Sequence, residues 1–107
     1  MAEILILRTM LLLGRKALLV EPYVALCAEK AESLRRLWAP LNVSVMGLYG
    51  GHSGSELFAS SSSGPILAVC TIEKANMVLN RLLDEDRLHE IGIVVVDEMH
   101  MVQVYYI

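Results

Sequence analysis

Apolar residues fall along this chain in two textures: short unbroken runs, and longer stretches where they return every three or four positions. The unbroken runs are Lys16-Ala-Leu-Leu-Val20, Ile66-Leu-Ala-Val-Cys70 and Ile93-Val-Val-Val96. A run without polar alternation suits a strand covered on both faces, as in a parallel sheet under helices. Val43–Tyr49 mixes branched and aromatic residues in rough alternation and reads as one more strand.

The spaced stretches predict helices. After Glu21-Pro22, residues Val24, Cys27, Ala28, Ala31, Leu34, Leu37 and Trp38 step by three and four onto one face, and Pro40 stops the element. Glu29, Lys30, Glu32, Arg35 and Arg36 cover its other side, with Glu32 and Arg36 at helical pairing distance. After Thr71, residues Ile72, Ala75, Leu79, Leu82 and Leu83 make a second buried stripe, with Glu73 in the first turn where a negative charge suits the dipole. Ala2–Leu13 is a run of good helix formers that is apolar nearly all round, and Gly14 is placed to end it. Such a helix belongs inside a larger structure, and no Ser, Thr, Asp or Asn caps its start, which suggests that the chain begins within an element. Gly50–Gly64, ending in four serines and a glycine, reads as the one long loop. Strand and helix alternate throughout, so the fold class is α/β with a mainly parallel sheet and flanking helices, without internal repeat or domain boundary.

Composition narrows the picture. With 107 residues, 55 % of them hydrophobic and 20 % charged, the chain is one core-forming domain rather than a disordered segment. A net charge of −3 argues against general coating of nucleic acid, though a local basic site is compatible with it. Cys27 and Cys70 have no CxxC spacing and read as reduced, buried thiols. The apolar N-terminus starts with an acidic charge, is interrupted by Arg8 and is followed by no small-residue cleavage site. Neither a signal peptide nor a membrane span is expected, and a soluble intracellular protein is.

The candidate chemistry lies in Ile91-Gly-Ile-Val-Val-Val-Asp-Glu-Met-His100, where a buried strand stops at two carboxylates. In open α/β sheets, sites gather beyond the carboxyl ends of the strands. An acid pair there suits phosphoryl transfer: Asp97 would hold magnesium through its hydration shell and Glu98 would orient the attacking water. The plainer reading is a solvated turn after a core strand, because such motifs are short.

Asp97-Glu-Met-His100 has the form of the helicase motif Asp-Glu-x-His, and two further segments precede it in order. Pro22-Tyr-Val-Ala-Leu-Cys-Ala-Glu-Lys30 opens a helix after its strand, and Cys70-Thr-Ile-Glu-Lys-Ala-Asn76 spans a strand-to-helix junction. Together they resemble motifs Ia, Ic and II of superfamily 2 helicases of the Ski2-like group. Within it they are most similar to helicases of the DNA polymerase theta type, where helicase and polymerase share one chain. The resemblance covers residues 2–102.

That resemblance implies the first RecA-like motor domain of a P-loop NTPase, an ATP-driven DNA helicase acting in the nucleus on double-strand breaks joined through microhomology. ATP and Mg2+ would be the cofactors of the intact protein. Asp97, with its water-bridged Mg2+, and Glu98 match the metal and water acids, and His100 matches the coupling position. Pro22 and Tyr23 match motif Ia, Gly50 and Gly51 the motif Ib glycines, and Thr71, Glu73 and Lys74 motif Ic, all facing single-stranded DNA. Further partners would be the rest of the helicase, with its phosphate loop and second RecA-like domain, and a polymerase domain. No membrane is among them.

Each residue keeps a plainer alternative. Thr71 serves equally as a helix cap, Lys74 as a solvated charge, Tyr23 as packing, Gly50 and Gly51 as a turn, and Trp38 as core. The sequence also departs from the family. It contains no Gly-x-x-x-x-Gly-Lys-Ser/Thr, and the family places that loop just before the helix that opens this chain. The expectation is therefore a partial RecA-like domain over residues 1–102, lacking the P-loop strand and not binding ATP tightly, then a divergent tail over 103–107. Glu21 stands where the family has an apolar residue. Without the neighbouring family strands, Ile93–Val96 is expected to expose an unpaired apolar edge, with the uncharged tail worsening aggregation. The competing readings are a single-strand-binding α/β module without catalysis, a truncated product without function, and an unrelated small signalling or binding domain.

Overall fold

The computed structural model of the chain describes residues 2–41, 43–49, 66–98 and 101–106, without the side chains of 2, 3, 13 and 98. The elements run α1 (Ala2–Leu13), β1 (Lys16–Val20), α2 (Val24–Trp38), β2 (Ser44–Leu48), β3 (Ile66–Cys70), α3 (Ile72–Asp84), β4 (Ile91–Glu98) and β5 (Met101–Tyr106). Short 3₁₀ turns follow α2 at Ala39–Leu41 and precede β4 at Leu88–Glu90. The loop expected at 50–64 lies outside the described residues.

The five strands form one sheet in the order β2-β3-β1-β4-β5. β1 to β4 are mutually parallel, and β5 runs antiparallel to β4. The connection through α2 runs from β1 across to β2, and that through α3 runs back from β3 to β4. Right-handed crossovers in opposite directions require helices on opposite faces, and the two cores obey this. Ile6 and Met10 of α1 and Cys27, Ala31, Leu34 and Trp38 of α2 pack with Ala17, Leu19, Leu67, Val69, Ile93 and Val95. Ala75, Val78 and Leu82 of α3 pack on the other face with Leu18, Val20, Ala68, Cys70, Ile91 and Val94. The unbroken runs are thus buried on both sides, each wholly buried Leu contributing about 2 kcal/mol.

Ile91 and Ile93 should share a face by strict alternation, yet they belong to opposite cores. The ladder explains it: Lys16 pairs with Ile91 but Ala17 pairs with Ile93, so Gly92 is an extra residue in β4. A β carbon on Gly92 would stand 3.0 Å from Cβ of Arg15, which favours glycine at this bulge.

Several sequence expectations change. The buried stripe of α2 is narrower than its apolar residues suggested, since Val24 and Leu37 are exposed, as is Ala28. In α3, Ile72 and Leu83 are exposed while Val78 is buried, so the core-facing line is Ala75, Val78 and Leu82. α1 buries Ile6 and Met10 but presents Ile4, Leu11 and Leu12 to solvent. The expected open edge on Ile93–Val96 is absent: β4 is longer than those four residues and pairs along its outer side with β5, from Ile93↔Tyr106 to Glu98↔Met101. β5 crosses residue 102 without a break, so part of the segment read as a divergent tail completes the sheet. Val104 packs against the core beneath α1 and α2, which anchors the strand. Among the described residues no helix is long and apolar enough to cross a membrane.

Candidate functional site

The carboxyl ends of the parallel strands finish in one row. Val20 is the last β1 residue paired with both neighbours, facing Cys70 of β3 and Val96 of β4. The next residue on each strand is therefore Thr71, Glu21 and Asp97, side by side across the middle of the sheet. The Glu21 amide continues the ladder by donating to the Cys70 carbonyl at 2.9 Å. Thr71 and Glu21 are buried, at 7 % and 4 % exposure, and Asp97 is half-buried.

A cleft of about 340 Å³ opens above this row on the α2 side, lined by Glu21, Pro22, Glu29, Lys30, Ser33 and Asp97 among others. Asp97 reaches that side because alternation along β4 puts it with Ile93 and Val95 on the α1/α2 face. Three carboxylates and one ammonium among the lining residues make the cleft acidic. Cys27 lies in the core on this face of the sheet and Cys70 in the core on the other. Burial raises the Cys27 pKa, and the charge of Glu21 raises it further, whereas the Glu21 and Cys27 backbones act in the opposite sense. Burial, and then the neighbouring Cys27, push Cys70 up to about 12. Both cysteines are free, buried thiols, as the spacing implied.

The other candidate residues divide between the two faces. Pro22 and Tyr23 follow Glu21 into α2, with Pro22 half-buried at the cleft and Tyr23 58 % exposed. Glu73 and Lys74 lie in the first turn of α3 on the opposite face, exposed and half-buried respectively. Thr71 occupies the N-cap position with extended backbone angles, but its side chain makes no capping hydrogen bond. Glu98 ends β4, its side chain being outside the described set, as are Gly50, Gly51 and His100 altogether. Glu29 and Ser33 were missed as cleft residues. Glu29 belongs to the polar side of α2 set away from the core, and Ser33 has no role in the sequence reading; their spacing of four from each other was the available signal. Among the described residues no three His, Cys, Asp or Glu side chains are grouped to hold a metal ion. Among the described side chains, Asp97 is the one acid of the Asp-Glu-x-His segment at the cleft.

An acid near the tip of buried strand β4, beside the turn from β1 into α2 at Glu21, now has family support. The DEAD/DEAH box helicase family model matches residues 1–106. The chain belongs to the DEAD/DEAH box helicases. It is 41 % identical over 101 residues to a Drosophila melanogaster protein named DNA polymerase theta, and 46 % identical over 89 residues to the Caenorhabditis elegans protein of that name. Those matches cover 94 % and 83 % of this chain but 5 % of either relative. A human protein named Helicase POLQ-like is 35 % identical over 101 residues, covering 94 % of this chain and 9 % of the relative. The chain thus spans a small part of the length of these helicases. Its α/β sheet with helices on both faces is consistent with part of a RecA-like domain.

Proposed function

We propose that these residues are the part of a helicase ATP-binding unit that supplies the metal-and-water acids and one DNA-facing surface. In the intact protein this unit would serve ATP-driven DNA unwinding in the nucleus, for end joining of double-strand breaks through microhomology. The observation that supports the proposal is the row of Thr71, Glu21 and Asp97 on neighbouring strands, within or next to the segments that resemble motifs Ic, Ia and II. Asp97 is suited to a magnesium ion held through water, since hydrated Mg2+ needs only one or two protein carboxylates. Glu98, next in the strand, would hold a water beside it.

The cleft suits the cation better than the nucleotide. A triphosphate requires backbone amides and a lysine arranged as a cradle. These 107 residues contain no Gly-x-x-x-x-Gly-Lys-Ser/Thr, and the cleft opposes three carboxylates to Lys30. Glu21 adds to this charge where the family has an apolar residue. The chain by itself therefore neither binds ATP tightly nor unwinds DNA. The test is ATP turnover by the purified chain with and without single-stranded DNA, where no DNA-stimulated hydrolysis is expected. Stimulated hydrolysis that disappears in Glu98→Gln would overturn the proposal.

A second reading, favoured by the exposed ring of Tyr23 beside the α2 start, is a single-strand-binding module without a motor. Exposed aromatics stack on bases, and phosphate contacts make such binding salt-sensitive. Binding that falls steeply with salt and ignores ATP supports this reading.

A further inference from the structure

The two ends of β4 are committed to opposite faces of the sheet. Ile91 is held on the α3 side: it is fully buried in that core, and its amide donates to the Leu88 carbonyl. Glu90 just before it stands 3.0 Å from Nζ of Lys16 in β1. Asp97 lines the cleft on the α2 side. The two residues are an even number of positions apart, so a regular strand would turn both to the same face. The extra residue at Gly92 lets them face opposite ways, because Lys16 pairs with Ile91 while the next residue, Ala17, pairs with Ile93.

The strand between these ends does not choose its own register. A half-buried strand is fixed by alternation, since a slip of one residue would carry its apolar side chains into water. Ile93-Val-Val-Val96 has no polar position, and Ile93, Val94 and Val95 are buried in apolar cores on both faces. Slipped by one residue along β1, the run would still offer each core branched side chains. The neighbouring β5 adds one partly buried residue, Val104, to the α1/α2 side. The acid, in contrast, would move. With Ile91 still opposite Lys16 and no bulge, Val96 falls opposite Glu21 and Asp97 turns to the α3 face.

We propose that Gly92 is a positioning residue for the site: its bulge sets the register of β4 and so decides that Asp97, and not Val96, stands beside Glu21 in the cleft. Glycine permits the bulge, because a β carbon at 92 would stand 3.0 Å from Cβ of Arg15. A bulky side chain there is relieved by regular pairing, which costs the apolar run little and removes the acid from the cleft. That the positioned group holds a metal rests on the proposed role of Asp97 as the magnesium acid; the register does not depend on it.

Two variants that lack the bulge separate register from stability. Gly92→Val crowds the bulge out and supplies a branched side chain opposite Ala17, where Ile93 stood, so β4 is expected to slip by one residue. Deletion of Gly92 also removes the bulge but leaves Ile91 and Ile93 as neighbours opposite Lys16 and Ala17, so the original register is expected to persist. Interstrand amide NOEs on the purified chain read the pairing: Leu19 pairs with Val95 in the parent, should do so in the deletion, and should pair with Val94 in Gly92→Val. Should Gly92→Val not fold, Gly92→Ala is read in the same way, with slipped pairs expected alone or beside the original set. A glycine needed for stability alone would lower the unfolding temperature and leave the pairing unmoved. Original pairing alone in the substituted chain, or a slip in the deletion, would overturn the proposal. Mn2+ added as a probe tests the role of the acid separately: it should broaden the Glu21 and Asp97 amides in the parent and the deletion, with the effect lost in Gly92→Val. Broadening that survives the slip would overturn the positioning role. Slipped pairing without broadening in the parent would uphold the register and remove Asp97 as the metal acid.

Discussion

Glu21 and Asp97 directly follow Val20 and Val96, the last pair of the β1–β4 ladder, so that two carboxylates on adjoining strands line one cleft. The arrangement follows from register and needs no contact between the two groups. It places Glu21 beside the first acid of the Asp-Glu-Met-His segment. Glu21 also reaches downward: its charge is the second cause, after burial, of the raised Cys27 pKa.

Replacing Glu21 by Gln removes that charge while keeping the side-chain shape and the backbone contacts. The Cys27 pKa is expected to fall, but not to its ordinary value, because burial is the larger cause and persists. The appearance of thiolate absorbance with rising pH reads this directly, with Cys27→Ala identifying the signal. An unchanged Cys27 titration would separate Glu21 electrically from the thiol.

A second prediction concerns the opposite end of the sheet. Lys16 Nζ stands 3.0 Å from Glu90 Oε1, joining the start of β1 to the turn before β4, and Arg87 Nε donates to Glu90 Oε2 at 2.6 Å. The hydrogen bond from Arg87 is the main cause, ahead of Lys16, holding the Glu90 pKa at about 2. Its folded value lies below its unfolded one near 4.5, so the stabilisation is complete above that unfolded value. It is lost as pH falls toward 2. The group is about a quarter exposed, and solvent screening leaves about 1–2 kcal/mol. Urea unfolding at neutral pH is expected to show that loss in Glu90→Gln, with a shallower decline in stability between pH 5 and 3 than the parent. Equal declines would refute the coupling.

The sequence made the parallel sheet legible because burial on both faces leaves a signature that other environments do not: runs such as Ala17–Val20 and Ile66–Cys70 have no polar position. The boundaries of α1, β1 and β3 followed from Gly14 and from polar residues flanking the runs. Helix faces were less legible, because apolarity does not distinguish a residue aimed at the sheet from one at the rim. Leu37 and Leu83, 63 % and 62 % exposed, were assigned inward on spacing alone. β5 was invisible as a partner for β4 because antiparallel pairing within a parallel sheet depends on what else occupies that side, and local pattern cannot report it. The same limit applied at the site. Asp97 was found from its motif, whereas Glu29 and Ser33 became cleft residues only once α2 was laid over the strand ends.

Lys74 provides a test of the DNA-facing proposal. It lies in the first turn of α3, half-buried, one residue after Glu73 and three after buried Thr71. With a net charge of −3, binding to a single strand must depend on local cations. If Lys74 neutralises one phosphate, Lys74→Ala should reduce the slope of log affinity against log salt by about 0.7. Fluorescence anisotropy with a labelled oligonucleotide over a salt series measures it. An unaltered slope would make Lys74 a solvated helix charge.

Gly14 and Gly92 are both required, for opposite reasons, and substitutions should tell them apart. Gly14 follows α1 with φ of +65°, its amide donating to the Met10 carbonyl at 2.8 Å, and a β carbon there would meet open space. The penalty for Gly14→Ala is therefore backbone strain of about 1 kcal/mol, and Gly14→Asn should recover part of it because Asn tolerates the left-handed region better. Gly92 is not among the positive-φ glycines but is crowded, its virtual β carbon standing 3.0 Å from Cβ of Arg15. Cβ of Arg15 cannot move without its backbone, so Gly92→Ala should cost about 1–3 kcal/mol. Shortening the neighbour to Arg15→Ala keeps that β carbon and should give no rescue, whereas Arg15→Gly should. Thermal unfolding of the single and double variants decides it; rescue by Arg15→Ala would move the clash to the outer part of the arginine and remove the steric reason for glycine at the bulge.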